Sequence, residues 1–304
     1  MTESETQYIQ KIEKELKDLK EQNSSQLSMY EMTTIYLKKL QEELKISEHK
    51  LTEVNKKLID SINYSKHIQD AFIVQDTVLQ KMFPSSYIFQ KPKDIVSGDF
   101  VWAYEHNSVL YLGVGDCTGH GVPGAMLSIF VISMLNQIVN HFENETPAGI
   151  LVRLDHLMQK YLSQYTDQIR DSVEISLIQY DKHHNQLIYS GAKRPLIHIR
   201  DNEITSYKGA KYVLGNSDRR NEQVQDIVIE FQKNDMLFMF SDGFPDQFGG
   251  PFNAKFTSKH LISVLAENAH FPIAVQNEKI KSVFDNWRGE IGQTDDVLLV
   301  GIQL

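Results

Sequence analysis

Residues 1–70 contain neither proline nor glycine and carry a heptad repeat. With Ile9 at the first a position, apolar side chains recur at most a and d positions as far as Leu58. A solitary helix would leave this stripe in water, and a 3.5-residue period predicts a left-handed coiled coil. Asn23, at an a position, is typical of parallel dimers, where a polar residue fixes the register. We therefore expect residues 1–65 to form a coiled-coil helix that makes the protein a homodimer.

The alternative to a dimer is a helical hairpin within one chain, which requires a turn near residues 22–26, QNSSQ. The heptad phase crosses this segment intact, which favours the dimer. After Ser61 the pattern stays helical as far as Phe83 but drifts in phase and covers a wider face. Residues 66–90 are therefore expected to form a linker or transmission helix that packs on the following domain.

Charge and apolar content exclude several classes of function. The formal net charge is −9 and no Lys/Arg cluster forms a basic face, so no nucleic-acid partner is expected. The N-terminus is charged, and no stretch approaches the roughly 20 uninterrupted apolar residues of a membrane span. A cytoplasmic location without membrane insertion is the expectation. Cys117 is the only cysteine, so any metal must be held by oxygen or imidazole rather than by several thiolates.

A second domain is expected over residues 91–304. Pro84 and Pro92 interrupt the chain, and the sequence then changes to short strands and turns. The pattern predicts strands near 99–104, 109–115, 173–180, 186–191, 195–199, 227–231, 236–240 and 297–303. It predicts helices near 122–142, 147–165, 257–268 and 273–287. Because strands are grouped with strands rather than alternating with helices, an antiparallel α+β architecture is favoured.

Two acids face each other across a predicted hairpin. Its turn falls at Asn107 and Ser108, and equal counting along the two arms places Asp99 opposite Asp116. Directly opposed residues have Cβ atoms about 4.5–5.5 Å apart, and like charges at that distance are destabilising. We therefore expect a positive group between these two carboxylates.

Three further aspartates lie at strand ends. A second hairpin ends at Asp242, and the last strand begins after Asp295 and Asp296. The start of one antiparallel strand and the end of its neighbour share an edge, so Asp99, Asp116, Asp242 and Asp295 are expected to converge. Any one of them alone is more typical of a helix cap or an Asx-turn. Four together suit Mg²⁺ or Mn²⁺, and a pair of such ions activates water for in-line attack on a phosphoryl group.

Four motifs together resemble the SpoIIE/RsbU-like bacterial branch of the PPM metal-dependent serine/threonine protein phosphatases: KPKDIVSGDFVW, GDCTGHGVPGAM, SDGFPDQFGG and GQTDDVLLVGIQL. The resemblance covers about residues 84–304. It implies an αββα sandwich of two antiparallel sheets flanked by helices. It also implies a centre of two Mn²⁺ or Mg²⁺ ions and hydrolysis of phosphoserine or phosphothreonine on a partner protein. Ser97 and Trp102 depart from residues common in the family, but neither is an expected ligand.

The resemblance also implies roles for individual residues. Asp116 would bridge the two ions, and the backbone carbonyl of Cys117 would ligate one of them. Asp99 would serve the second ion. Asp242 and Asp295 would complete the coordination of the ion that the Cys117 carbonyl ligates, and Asp296 would be a neighbouring acid in the metal set.

Three residues near these acids have open roles. His120 either protonates the leaving serine oxygen, as a histidine near this place does in the eukaryotic branch, or forms a hydrogen bond at a helix start. Lys193 and Arg194 lie in a predicted turn, where they are either solvated or in contact with the substrate phosphate.

The leading hypothesis is a cytoplasmic, homodimeric protein phosphatase in bacterial signalling, in which Asp116, Asp242 and His120 carry the catalysis. Its N-terminal coiled coil would transmit a regulatory signal, and its substrate would be a phosphorylated regulatory protein such as an anti-sigma-factor antagonist. The alternative is a non-catalytic coiled-coil adaptor whose phosphatase-like domain binds partners without turnover. The intact set of acids favours the enzyme.

Overall fold

The computed structural model describes residues 2–142, 145–162, 171–215 and 224–304 of the 304-residue chain. It divides into two units, Met1–Ser61 and Ile62–Leu304. The helices in the described residues are α1 (Glu3–Phe72), α2 (Asp76–Met82), α3 (Gly121–His141), α4 (Pro147–Leu162), α5 (Ser258–Asn268) and α6 (Ile273–Arg288). The strands are β1 (Ser86–Lys91), β2 (Asp99–His106), β3 (Val109–Cys117), β4 (Val173–Asp181), β5 (Gln186–Ala192), β6 (Leu196–Arg200), β7 (Glu203–Tyr207), β8 (Ile227–Ile229), β9 (Met236–Phe240), β10 (Phe248–Gly249), β11 (Ala254–Lys255) and β12 (Val297–Gln303).

Helix α1 runs without a break through residues 22–26. The hairpin alternative is therefore wrong. Along this helix the a and d side chains of the heptads are exposed in the single chain, as Leu16, Leu37 and Val54 illustrate. A long helix with an exposed apolar stripe is what a coiled coil requires of one chain. Its pairing with a second chain stays a prediction.

The second unit contains two five-stranded antiparallel sheets. One has the strand order β2-β3-β4-β5-β8, and the other has the order β1-β12-β9-β6-β7. Apolar side chains from both sheets, such as Leu112 and Val300, form one buried cluster. A second cluster joins the first sheet to α3 and α4, and a third joins the other sheet to α5 and α6. The layers therefore follow the order helices, sheet, sheet, helices, which confirms the αββα sandwich.

Each strand and helix predicted over residues 91–304 has a counterpart, but β1, β7 and the two-residue strands β10 and β11 were not predicted. The helix expected to continue to Phe83 is divided, because α1 ends at Phe72 and α2 covers Asp76–Met82, and the end of the expected 66–90 linker forms β1. Strand β1 pairs with the last strand of the chain, β12, from residues far apart in sequence. Strand β7 is short and has exposed side chains, as expected of an edge strand. The predicted helix over 147–165 ends at Leu162, and residues 163–165 lie outside the described part of the chain.

Helix α3 is long and apolar enough, by length and composition, to cross a membrane, and it is the only such helix among the described residues. The sequence analysis, which looked for an uninterrupted apolar run, did not single it out. More than half of its most apolar window is buried within the fold. Its buried side chains, such as Val131 and Leu135, pack in the cluster formed with the first sheet. The apolar character of α3 is therefore explained by its place in the core.

The β2–β3 hairpin has the predicted register. Its tip is Asn107 and Ser108, with φ angles of 49° and 67°, which are the positive values that a two-residue type I′ turn requires. Asp99 is consequently the cross-strand partner of Asp116. This pair stands at the end of the hairpin opposite the turn, where the candidate site lies.

Candidate metal centre

Both sheets bring acids to the same edge of the sandwich. Asp99 opens β2 and Asp116 lies near the end of β3, whereas Asp242 follows β9 and Asp295 precedes β12. Ser241, next to Asp242, donates its hydroxyl to Asp99 Oδ2 at 2.6 Å, and so links the two sheets at this edge. The ends of strands from separate sheets are therefore in direct contact where the acids lie.

The tightest acidic group consists of Asp116, Glu174 and Asp242. One carboxylate oxygen from each lies within 4.8 Å of the others. Glu174 comes from β4, where it is the cross-strand partner of Asp116. The sequence analysis did not identify Glu174, because only the register between β3 and β4 places it beside Asp116. Six candidate acids thus surround this edge once Asp99, Asp295 and Asp296 are included.

A buried arginine contacts all three acids of the tightest group. Arg194 Nη2 lies 2.5 Å from Asp116 Oδ2, 2.9 Å from Glu174 Oε2 and 2.8 Å from Asp242 Oδ2. The positive group expected near the opposed acids is therefore present at Asp116. Asp99 is buried and is stabilised by the Ser241 hydroxyl instead.

Burial and repulsion between acids raise the pKa values of Asp116, Asp99 and Asp295. Burial raises the pKa of Asp116 to about 7; Arg194 opposes this increase, and Asp242, Glu174 and Asp295 add to it. Burial also raises the pKa of Asp99 well above its usual value, with a further increase from Asp116. The pKa of Asp295 is raised, chiefly by burial. A cation at this edge would relieve the repulsion that these increases reflect.

Both carboxylate oxygens of Asp296 accept hydrogen bonds from the backbone, so this side chain holds neighbouring backbone in position. It is buried; its Oδ1 accepts from the backbone N–H of Lys93 at 2.7 Å, and its Oδ2 accepts from that of Gly98 at 2.8 Å. Asp295 Oδ1 in turn accepts from the backbone N–H of Asp296 at 2.8 Å. These hydrogen bonds hold the segment that leads into Asp99.

Glycines allow the loop after Asp116 to pass close to neighbouring backbone. A Cβ on Gly98 would lie 2.9 Å from the Cys117 carbonyl oxygen, and a Cβ on Gly124 would overlap the Gly119 carbonyl oxygen. The Cys117 side chain is buried, and burial raises the pKa of its thiol. The thiol therefore stays protonated, which leaves the backbone carbonyl as the group at Cys117 suited to a hard cation.

His120 lies at the N-cap of α3 but makes no capping hydrogen bond with its side chain. Its Nδ1 is 2.8 Å from Asp94 Oδ2, and the imidazole is 51% exposed. A carboxylate at this distance fixes the orientation of the ring and leaves Nε2 available to solvent or a ligand.

The donor set at this edge fits divalent Mg²⁺ or Mn²⁺. Its members are carboxylate and carbonyl oxygens, which these ions prefer, and the described residues bring neither a thiolate nor an imidazole into the three-acid group. The number of acidic side chains gathered at this edge also favours binding of a multiply charged cation.

Comparisons with known proteins find similarity to one family and to several solved structures. A family model described as Stage II sporulation protein E (SpoIIE) matches residues 107–304. The SiaA-PP2C domain of Pseudomonas aeruginosa is 28% identical with a TM-score of 0.75, over 83% of this chain and 98% of that one. A search of curated proteins finds no match.

Two more distant structures share the fold alone. One is the PP2C phosphatase domain, with a fragment of the regulatory domain, of the cell fate determinant SpoIIE from Bacillus subtilis. It is 15% identical with a TM-score of 0.58, over 72% of this chain and 62% of that one. The other contains RsbU and RsbW domains from Mycobacterium tuberculosis. It is 19% identical with a TM-score of 0.57, over 73% of this chain and 60% of that one.

Proposed function

Since the chain belongs to the SpoIIE family, we propose that it is a metal-dependent phosphatase that hydrolyses phosphoserine or phosphothreonine on a partner protein. The observation that carries this proposal is the three-acid group, in which oxygens of Asp116, Glu174 and Asp242 lie within 4.8 Å of one another. Strand ends from both sheets form this group. Arg194 balances only part of its negative charge, so a divalent cation would be attracted to the same carboxylates.

We assign the metal ligands as follows. Asp116 would be shared by two ions, and the Cys117 carbonyl, Asp99, Asp242 and Asp295 would supply further oxygens. Bound Mn²⁺ or Mg²⁺ would polarise the phosphoryl group and lower the pKa of water. Asp296 would act by holding the backbone that leads into Asp99, since both of its carboxylate oxygens accept backbone hydrogen bonds.

His120 is the proposed proton donor to the leaving serine or threonine oxygen. Its contact with Asp94 supports this role, because a carboxylate at Nδ1 fixes the orientation of the ring. Its exposure also leaves room for a substrate side chain at Nε2. Asp94 would then be a positioning residue for His120.

Regulation through the N-terminal helix is supported by the way in which α1 ends. The buried Gln69 side chain donates to the Ser97 carbonyl at 2.6 Å and to Ser128 Oγ at 2.9 Å. Its Oε1 accepts from the Ser97 N–H at 3.2 Å, and Ser97 Oγ accepts from the Asp99 N–H at 3.0 Å. A displacement at the end of α1 would therefore reach Asp99 through two successive hydrogen bonds. We propose that residues 66–90 transmit the signal in this way.

The remaining assignments follow from the family and from the heptads. We propose a cytoplasmic homodimer that pairs through residues 1–65. Its phosphatase domain would begin with β1 at Ser86, ahead of the expected boundary at residue 91, and continue to residue 304. Its substrate would be a phosphorylated regulatory protein, such as an anti-sigma-factor antagonist. The competing function is an adaptor that binds this partner without turnover.

Hydrolysis assays with the full-length protein separate the two functions. An aryl phosphate and a phosphoserine peptide are incubated with and without Mn²⁺, with Asp242→Asn as the test variant. Asp246→Asn is the matched control, because Asp246 is close in sequence but pairs with the exposed Lys255. We expect Mn²⁺-dependent hydrolysis by the wild type and the control, and a loss of about 100-fold or more in Asp242→Asn. Equal rates with and without metal, unchanged by Asp242→Asn, would favour the adaptor.

A further inference from the structure

Arg194 is held in place by its own backbone in the loop between β5 and β6. The Arg194 N–H donates to the Ala192 carbonyl at 2.8 Å. The Arg194 carbonyl accepts from the buried Tyr189 hydroxyl at 2.5 Å. The preceding residue, Lys193, has a φ of 60°, which lies in the left-handed region that is uncommon for a lysine. These constraints direct the Arg194 side chain toward the acidic edge, so that its position follows from the fold of the loop.

The guanidinium of Arg194 is a permanent cation inside the acidic group. Its side chain is 9% exposed, and one nitrogen contacts Asp116, Glu174 and Asp242. An arginine side chain keeps its charge at any ordinary pH, so this positive charge is present whether or not a cation binds nearby. A solvated role for this residue is therefore wrong, whereas Lys193 is half exposed and its Nζ pairs with Glu174 at 3.1 Å.

One donor of this guanidinium has no partner. Within the described part of the chain, Arg194 Nε is buried and makes no hydrogen bond. An arginine presents Nε and the Nη nitrogens in a planar fork that matches two oxygens of a phosphate. A buried and unpaired donor in such a fork, beside the proposed hydrolytic site, indicates an anionic ligand.

Glu174 is the acid that keeps Arg194 in position. It lies beside Asp116 by strand register and stands outside the metal ligands assigned above. Cations held by Asp116 and Asp242 would compete with Arg194 for those two carboxylates, whereas the 2.9 Å contact with Glu174 needs no metal ligand. The side chain would then have donors left over for an anion at the same edge.

We propose that Arg194, positioned by Glu174, binds the phosphoryl oxygens of the substrate. This inference rests on the proposed function and deepens it. Arg194 would be a substrate-binding residue, and Glu174 would be a positioning residue that acts through it. The interaction persists in the product, so inorganic phosphate is a suitable probe.

The test is a calorimetric titration of inorganic phosphate into the full-length protein saturated with Mg²⁺. The variants are Arg194→Gln, which keeps the size of the side chain without its charge, and Arg194→Lys, which keeps the charge without the fork. Lys182→Ala is the control, because Lys182 follows the other end of β4 and pairs with Glu105. Mg²⁺ affinity and thermal unfolding are measured for each variant, so that saturation and folding are known.

Arg194→Gln is expected to weaken phosphate binding about tenfold or more, because it removes a charge-assisted hydrogen bond. Arg194→Lys is expected to weaken it about threefold, and Lys182→Ala by less than about twofold. Phosphate affinity in Arg194→Gln equal to that of the wild type would overturn the inference. Where Arg194→Gln does not fold, wild-type affinity in Arg194→Lys overturns it instead.

Failure of the inference and failure of the proposed function give different results. A wild type that hydrolyses phosphoserine peptide, with phosphate affinity insensitive to Arg194, contradicts the inference alone. A wild type without metal-dependent turnover contradicts the proposed function, and an Arg194-dependent phosphate affinity in that protein would support an anion site without hydrolysis.

Discussion

The carboxyl group of Asp116 is buried, is repelled by neighbouring acids and is the proposed shared ligand of the metal ions. Its pKa is raised to about 7, above the ordinary 3.8, because the carboxyl group is buried among other acids. A proton and a metal ion therefore compete for the same oxygens near neutral pH. The protonation of this one side chain would set the pH range in which the site functions.

We predict that Mn²⁺ affinity falls as the pH is lowered from 8 to 6. Asp116 must lose its proton to bind the ion, so affinity should decline by up to about tenfold per pH unit below 7 and level off above 8. Isothermal titration at several pH values measures this dependence. An affinity that stays constant from pH 8 to pH 6 would contradict the role given to Asp116.

The metal-free fold should show the opposite trend. Between pH values of about 4 and 7 the folded Asp116 holds a proton that the unfolded chain, with a pKa near 3.8, has released. Its contribution to the free energy of unfolding is therefore largest below pH 4 and is lost as the pH rises through 7. Asp99, whose pKa is also raised, contributes in the same direction.

Sequence reasoning identified the aspartates of the site but missed Glu174. Asp99 and Asp116 were paired because a two-residue hairpin fixes the register from local sequence alone. Glu174 joins them through the pairing of β3 with β4, strands separated by two helices. The buried position of Arg194 likewise depends on how the chain crosses from one sheet to the other, and a turn sequence does not contain that information.

At the scale of elements, the start of α3 is fitted closely against the loop that carries Cys117. A Cβ on Gly124 would overlap the Gly119 carbonyl oxygen, and Gly98 lies directly beside Gly124. Helix, loop and the start of β2 therefore fit together only with glycine at these positions.

We predict that Gly124→Ala lowers the free energy of unfolding by about 1–3 kcal/mol, because an added methyl group must displace backbone. It should also weaken Mn²⁺ binding, since the Gly119 backbone follows Cys117 in the same loop. Gly292→Ala is the control, because a Cβ at Gly292 meets nothing within 4 Å. Chemical denaturation and metal titration provide the measurements, and equal behaviour of the two variants would contradict this account of the loop.

The end of α1 forms the second element-level contact with the site. Gln69→Ala removes three hydrogen bonds at a buried position. We predict a loss of about 2–3 kcal/mol in the free energy of unfolding, together with weaker Mn²⁺ binding through Ser97 and Asp99. Asp70→Asn is the control, because the exposed Asp70 pairs only with Lys66 among the described contacts. If Gln69→Ala lowers the free energy of unfolding without changing the Mn²⁺ affinity, the proposed transmission route is contradicted.

Elements with strong local patterns were predictable, and those that depend on distant pairing were not. The apolar periodicity of α5 and α6 and the short apolar runs of β2 and β3 on either side of a two-residue turn define their limits to within a few residues. Strand β1 lies between two prolines, and its role becomes evident only when β12 pairs with it.

At the scale of the whole molecule, the heptads of α1 predict a dimer in solution. Leu37 and Leu44 occupy successive a positions and are exposed in the single chain. Lysines at both positions would place charges in the predicted seam, so the double variant Leu37→Lys, Leu44→Lys should sediment as a monomer. His49→Lys, at an outward f position, is the control and should remain a dimer. A wild-type chain that sediments as a monomer at micromolar concentrations would contradict the coiled coil.

The fold class was predictable from sequence because four motifs and the grouping of strands indicate the same sandwich. Helix α1 was predictable for a different reason, since a long heptad pattern without proline or glycine leaves few alternatives.

The central claim is that acids from both sheets form one centre for divalent cations. Anomalous diffraction from crystals of the full-length protein soaked in Mn²⁺ tests it most directly. The account predicts manganese peaks in contact with the carboxylates of Asp116 and Asp242. Absence of any peak at these carboxylates at saturating Mn²⁺, in crystals that diffract well, would contradict it.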